Sequence, residues 1–147
     1  MKINTKYFGE MEVIEDEIIE FKSGLLGFMD SKKFVIINMP DNPHFKFLQD
    51  INNTYVSFVI INPWDFFSDY DVDLADAELE KININQSNCD KISVYVVVTM
   101  GKTLKESSAN LIAPVVINNT EQLGKQLIVD NSNYTTKHLL ISEWVGD

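Results

Sequence analysis

The 147-residue chain reads as mainly β: a single small antiparallel domain, barrel-like or sandwich-like, with one short helix near residues 76–82. Three observations predict this. Runs rich in Val, Ile, Phe and Tyr recur along the chain, a composition that suits a pleated, half-buried surface. Turn-forming groups such as Pro40-Asp-Asn-Pro43 and Asn52-Asn-Thr54 separate them. Their spacing of about 8 to 14 residues is that of antiparallel sheets curling into barrels or sandwiches. Only one stretch carries helical spacing. No Pro-, Gly- or Ser-rich linker divides the chain and no repeat is visible, so residues 1–147 form one domain, long enough to bury a core.

The elements follow in order. Tyr7 to Val13 alternates around Phe8, Met11 and Val13 and predicts a strand. Glu17 to Phe21 is a short β-compatible run after an acidic turn at Glu15-Asp16. Gly24 and Gly27 bracket Leu25-Leu26, which predicts a turn needing positive φ or close backbone approach. Further strands are predicted at Phe34–Met39, His44–Gln49, Tyr55–Asn62, Ile92–Met100, Ala109–Asn118 and Gln126–Val129. The helix, Asp76 to Ile82, puts Leu79 and Ile82 three residues apart and acids in its first turn, where the helix dipole favours them. Asp73 or Asp76 is its expected cap. Within Ser107-Ser-Ala-Asn-Leu-Ile-Ala-Pro-Val-Val-Ile-Asn118, Pro114 lacks a backbone donor and breaks the strand, so it belongs at an edge or a bulge. An Asn-Asn-Thr turn and a return strand with a polar exit follow.

Twenty-two acidic residues face twelve basic ones, a formal net charge of −10, and every basic residue is a lysine. The chain therefore lacks the planar guanidinium fork that most often reads guanine or clamps phosphate, and direct nucleic-acid binding is not expected. A basic protein partner suits it better. Cys89 is the only cysteine, which excludes an intrachain disulfide and agrees with a reducing compartment. The apolar runs are too short to span a bilayer and the N-terminus lacks a signal-peptide pattern, so a cytoplasmic location without membrane attachment is expected.

Catalytic constellations are missing. His44 and His138 lie far apart and Cys89 has no Cys-x-x-Cys mate, so neither a metal nor a cofactor is expected. Gly101-Lys102-Thr103 resembles the end of a phosphate-binding loop, but Val96 stands where the first glycine of that motif belongs. Asp69 and Asp71 suit a solvated edge better than acid–base work at a glycosidic bond. Asn62-Pro-Trp-Asp-Phe-Phe-Ser-Asp-Tyr-Asp-Val-Asp73 differs from these. It crowds Trp64, Phe66, Phe67 and Tyr70 among Asp65, Asp69, Asp71 and Asp73, and seven acids fall between positions 65 and 80. One reading makes Phe67 and Val72 core and the acids a solvated face. The other makes Trp64, Phe66 and Tyr70 anchors of a protein-binding edge rimmed by Asp69, Asp71 and Asp73. A second acidic run, Glu10 to Glu20, holds six acids and no base.

Five blocks in register also carry a resemblance. They are Thr5-Lys-Tyr-Phe-Gly-Glu-Met-Glu-Val13, Phe21-Lys-Ser-Gly-Leu-Leu-Gly-Phe28, Phe47-Leu-Gln49, Phe58–Pro63 with Phe66-Phe-Ser-Asp-Tyr70, and the Ser107–Asn118 stretch continuing through Gly124-Lys-Gln-Leu-Ile-Val-Asp130 to Tyr134-Thr-Thr-Lys-His138. Together they resemble the flagellar assembly factor FliW family over about residues 5 to 140. Leu26 and Leu139 stand where that family commonly has proline. The resemblance implies a small, open β-barrel-like monomer without enzymatic activity. It implies a partner switch: binding of the RNA-binding carbon storage regulator CsrA, which relieves repression of flagellin mRNA, and chaperone-like binding of flagellin, which titrates the factor away. For flagellin's apolar helical region the expected strip is the Pro114 edge, with Asn110, Leu111 and Ala113, and the tail around Tyr134, Pro114 leaving backbone groups free for a partner. The competing expectation is a small-molecule or carbohydrate-binding barrel with weak carboxylate-based hydrolase activity, which requires an internal cavity with converging polar groups.

Overall fold

The computed structural model describes residues 1–131 and 133–141. Seven strands close into a barrel: β3 (Ile19–Glu20), β4 (Lys33–Asn38), β5 (Phe45–Asp50), β6 (Ser57–Ile61), β7 (Ile92–Thr99), β9 (Val115–Asn118) and β10 (Leu123–Gln126). Strands β3 to β7 pair antiparallel in sequence order, β7 pairs with β9, β9 with β10, and β10 returns to β3. That last contact is parallel, at Leu123 and Glu20, an exception to the all-antiparallel expectation. Outside the barrel, β1 (Lys2–Thr5) and β2 (Gly9–Glu12) form a hairpin, while β8 (Ser108–Ala109) and β11 (His138–Leu139) extend the sheet beyond β7.

Alternation along the strands sorts the side chains into two layers. Phe34, Leu48, Ile60, Val115 and Ile117 point into the barrel, where Phe21 and Leu25 join them. The opposite faces of β4 to β7, among them Val35, Ile37, Phe47, Val59 and Val96, form an outer layer covered by Ile3 of the hairpin, Val13 just after it, Tyr70, Leu111 and Leu140. The barrel interior is therefore packed with apolar side chains, the arrangement that counts against an internal ligand site. Gly124 marks a close approach inside the barrel: a Cβ there would sit 2.5 Å from the Phe21 ring. Gly24 and Gly27 both adopt positive φ (67° and 82°), as their bracketing of Leu25-Leu26 predicts.

Several boundaries depart from expectation. The run from Tyr7 to Val13 is not one strand, because Thr5 Oγ1 accepts the Phe8 N–H and donates to Gly9 C=O, closing a turn at Tyr7-Phe8. Both aromatics then pack on Phe47. The return strand begins at Leu123, earlier than Gln126, since Asn118 Oδ1 accepts from Thr120 and Glu121 N–H and folds the turn back at once. Helix α1 spans Asp76–Glu80 and is capped by neither Asp73 nor Asp76; Ala75 occupies the cap without a side-chain bond. Its hold comes from packing of Leu79 and Ile82 near Val116 and Leu127, and from Asn118 Nδ2, which donates to Ile82 C=O at 2.8 Å. That suits so short a helix, which propensity alone does not sustain.

Candidate partner-binding surface

The Asn62–Asp73 segment leaves β6 through a short 3-10 turn. Asn62 Oδ1 accepts the Trp64 N–H at 2.9 Å and Pro63 occupies the first helical position. Phe67 N–H bonds Pro63 C=O and Tyr70 N–H bonds Phe67 C=O, so the chain coils tightly enough to drive Tyr70 inward. Tyr70 is 4% exposed, and its hydroxyl donates to Leu111 C=O at 2.8 Å. Burial first, then the neighbouring Tyr134, pushes its phenol well above the usual tyrosine range. Trp64 Nε1 donates to Tyr70 C=O at 2.8 Å, leaving the indole 41% exposed. Phe66 stacks on Phe45 and His44, and Phe67 packs against the outer layer.

Most of these aromatics are therefore framework, and Trp64 alone among them is exposed. Asp69, Asp71 and Asp73 stand exposed on that framework. Asp71 is also fixed through its backbone, whose N–H donates to the Tyr134 hydroxyl at 2.7 Å. The remaining acids of the segment differ among themselves. Asp65 faces His44 Nδ1 at 3.1 Å, and Lys81 Nζ lies 2.8 Å from Glu78, a hydrogen bond that holds the Glu78 carboxyl below its ordinary range. Asp69, Asp71 and Asp73, like Asp76 and Glu80 on the helix that follows, form no ion pair among the described residues, so their charge is uncompensated.

The Asn110–Pro114 strip sits differently. Asn110 is half-buried, while Leu111 (2% exposed), Ala113 (1%) and Pro114 are buried. Its backbone groups, expected to be free, are engaged. Asn110 Oδ1 accepts from Ile112 and Ala113 N–H, Leu111 N–H bonds Thr135 C=O, Gln126 Nε2 donates to Ala113 C=O, and Leu127 N–H bonds Pro114 C=O. Pro114 lies just before β9, and the predicted Ala109–Asn118 strand splits around it into β8 and β9. The loop between them turns its apolar side chains inward, so they are not on offer to a partner. Half-buried Tyr134 stacks on Tyr70 at 4.9 Å between ring centroids. The two candidate regions thus join into one unit through Tyr70–Leu111 and Asp71–Tyr134.

Among the described residues no group of three or more His, Cys, Asp or Glu side chains is arranged to hold a metal ion, and no helix is long and apolar enough to cross a membrane.

Comparison with known proteins places this architecture. The FliW protein family model matches residues 2–140. The flagellar assembly factor FliW of Geobacillus thermodenitrificans (strain NG80-2) is 41% identical over 146 residues, covering 99% of either chain. That of Bacillus subtilis (strain 168) is 36% identical over 138 residues, covering 94% of this chain and 95% of the relative. A crystal structure of the flagellar assembly factor FliW superposes with a TM-score of 0.89 at 40% identity, covering 97% of this chain and 99% of that one. On these matches, and on the barrel they share, the chain belongs to the FliW family.

Proposed function

We propose that this chain is a non-enzymatic flagellar assembly factor of the cytoplasm, which acts as a monomer by binding other proteins. In this reading it binds a CsrA-type translational regulator, relieves that regulator's repression of flagellin mRNA, and exchanges it for flagellin in a partner switch. The observation that carries the reading is the uncompensated acidic face of Asp69, Asp71 and Asp73, carried beside a buried aromatic frame to which the Asp71 backbone is tied, on a family member of net charge −10. A carboxylate array attracts a basic RNA-binding surface and repels RNA itself. Trp64 offers the apolar contact beside it. For flagellin, the Asn110–Pro114 strip acts as support, and contact falls to what surrounds it, with Tyr134 at the margin.

Addition of the purified protein to a regulator–RNA complex tests this reading. Release of the RNA, with no RNA bound to the protein itself, is expected. Retention of RNA in a stable ternary complex rejects displacement.

A further inference from the structure

We propose that the open half of β4 is a docking edge for an extended strand of a partner protein whose side chains alternate basic and apolar. The proposal rests on the reading of the chain as a binding module and adds a surface apart from the Asp65–Glu80 face.

The backbone carries the first part of the argument. Ile51 N–H bonds Lys33 C=O, and Met39 N–H bonds Phe45 C=O, so the odd-numbered residues of β4 aim their backbone groups at β5. Strand geometry then aims those of Phe34, Ile36 and Asn38 at the opposite edge. There β3 covers only Lys33 and Phe34, with Phe21 N–H reaching Lys32 C=O. The next ladder position, opposite Ile36, would fall to Glu17. Glu17 has been withdrawn: its N–H bonds Ile14 C=O and that of Ile18 bonds Glu15 C=O, coiling Glu15–Glu17 into a 3-10 turn. Across this edge, the backbone of Ile36 and Asn38 finds no hydrogen-bonding partner among the described residues.

Space and charge define the occupant. A groove of about 290 Å³ runs between Met11–Val13 and Val35–Asn38, with Glu12 and Glu17 on its rim. Protein edges are commonly blunted by lysine or a bulge, whereas here the rim is acidic and Ile36 is half-exposed. Glu12 meets only the N-terminal amine, at 3.5 Å, and Glu17 forms no ion pair among the described residues. A strand laid along Ile36–Asn38 continues the line of β3, sets its apolar side chains against Met11 and Val13, and reaches the carboxylates with its basic ones. A second copy of this chain fits poorly, since its own edge would bring Glu12 and Glu17 against the same carboxylates.

The probe is a labelled seven-residue peptide alternating lysine and valine, titrated into the full chain by fluorescence anisotropy. Methylating its central backbone nitrogens should weaken binding roughly tenfold, the loss of one or two strand hydrogen bonds. Glu12→Lys with Glu17→Lys should weaken it comparably, while Asp69→Asn, Asp71→Asn and Asp73→Asn together should leave it unchanged. In the unmodified protein, exchange of the Ile36 and Asn38 amides should slow when the peptide is present, a readout that needs no variant. Equal binding of the methylated and parent peptides, no binding of the parent, or unprotected Ile36 and Asn38 amides overturns the proposal. Regulator–RNA displacement is measured on the same preparations, so a failed peptide result with intact displacement removes this edge and leaves the functional reading in place.

Discussion

The Asn62–Asp73 segment and the Asn110–Pro114 strip invite the same interpretation from sequence, yet the first keeps its carboxylates at the surface while the second is buried beneath it. Both follow a strand, both contain a proline, and both mix apolar with polar side chains. The first has bulky aromatics whose polar tips find partners, Trp64 on Tyr70 and Tyr70 on Leu111, and its carboxylates are left facing solvent. The second has small and aliphatic side chains with nothing to hold them at the surface, and its one polar residue, Asn110, bends the loop inward by capping two of its amides. Carboxylates report exposure dependably, because burying one unpaired is costly. Alanine and leucine report nothing of the kind.

Substitution at Ala113 should give the largest effect. Ala113→Glu puts a charge without a partner into a fully packed site and should cost about 3 to 5 kcal/mol, enough to abolish a cooperative melt. A native-like thermal transition for this variant would reverse the comparison, by showing that the strip opens to water.

Next is the bond that joins the two regions. Tyr70→Phe leaves Leu111 C=O without its buried donor and should cost about 1 to 2 kcal/mol in denaturant melts. The same residue sets an alkaline limit. In the folded chain Tyr70 holds its proton above the pH at which an unfolded tyrosine releases it, roughly 10. Its contribution is therefore complete below that pH and declines as pH rises further. Tyr95, raised by burial, acts in the same direction. Stability should fall less steeply with pH above about 10 in Tyr70→Phe than in the parent.

A smaller effect, on rate and not on stability, is expected at the acidic face. Replacing Asp69, Asp71 and Asp73 together with Asn should slow association with the regulator several-fold at low salt and flatten its salt dependence, while stability stays within about 0.5 kcal/mol. Stopped-flow mixing across a salt series measures this. The smallest effect belongs to Glu12, Glu15 and Glu17, whose replacement by Gln should change the same on-rate by about twofold or less. A larger loss from the second triple than from the first would move the regulator's interface to the other acidic run.

Much of the barrel was legible because strand alternation is a local signal. Phe34–Met39 and Ile92–Met100 match β4 and β7 to within a residue, and the helix was visible from Leu79 and Ile82. What local signals cannot carry is which strands meet. The parallel contact of β3 with β10 joins residues about 100 apart, and nothing in Ile19-Glu20 names Leu123 as its neighbour. The Tyr7-Phe8 turn was hidden because two aromatics suggest a strand while Thr5 alone closes the bend. For the candidate surface, the acids were readable and the fate of the aromatics was not, since it depends on Leu111 and Tyr134, distant in sequence. The acidic turn at Glu15-Asp16 was likewise visible, although its result, an uncovered half of β4, appears only in three dimensions.

The seam that closes the barrel also sets an order of events during synthesis. Strands β4, β5 and β6 are neighbours in sequence and can pair as soon as they emerge, since short loops cost little entropy to close. Closure waits for β10: Gln126 Oε1 accepts the Leu26 N–H across 100 residues, and Phe21 has no lid until Gly124 arrives. Until then the nascent chain exposes a β-meander with an apolar inner face, the kind of intermediate most prone to aggregation. Slowing translation between residues 61 and 123 should therefore lower soluble yield without altering the melting temperature of the protein that does fold.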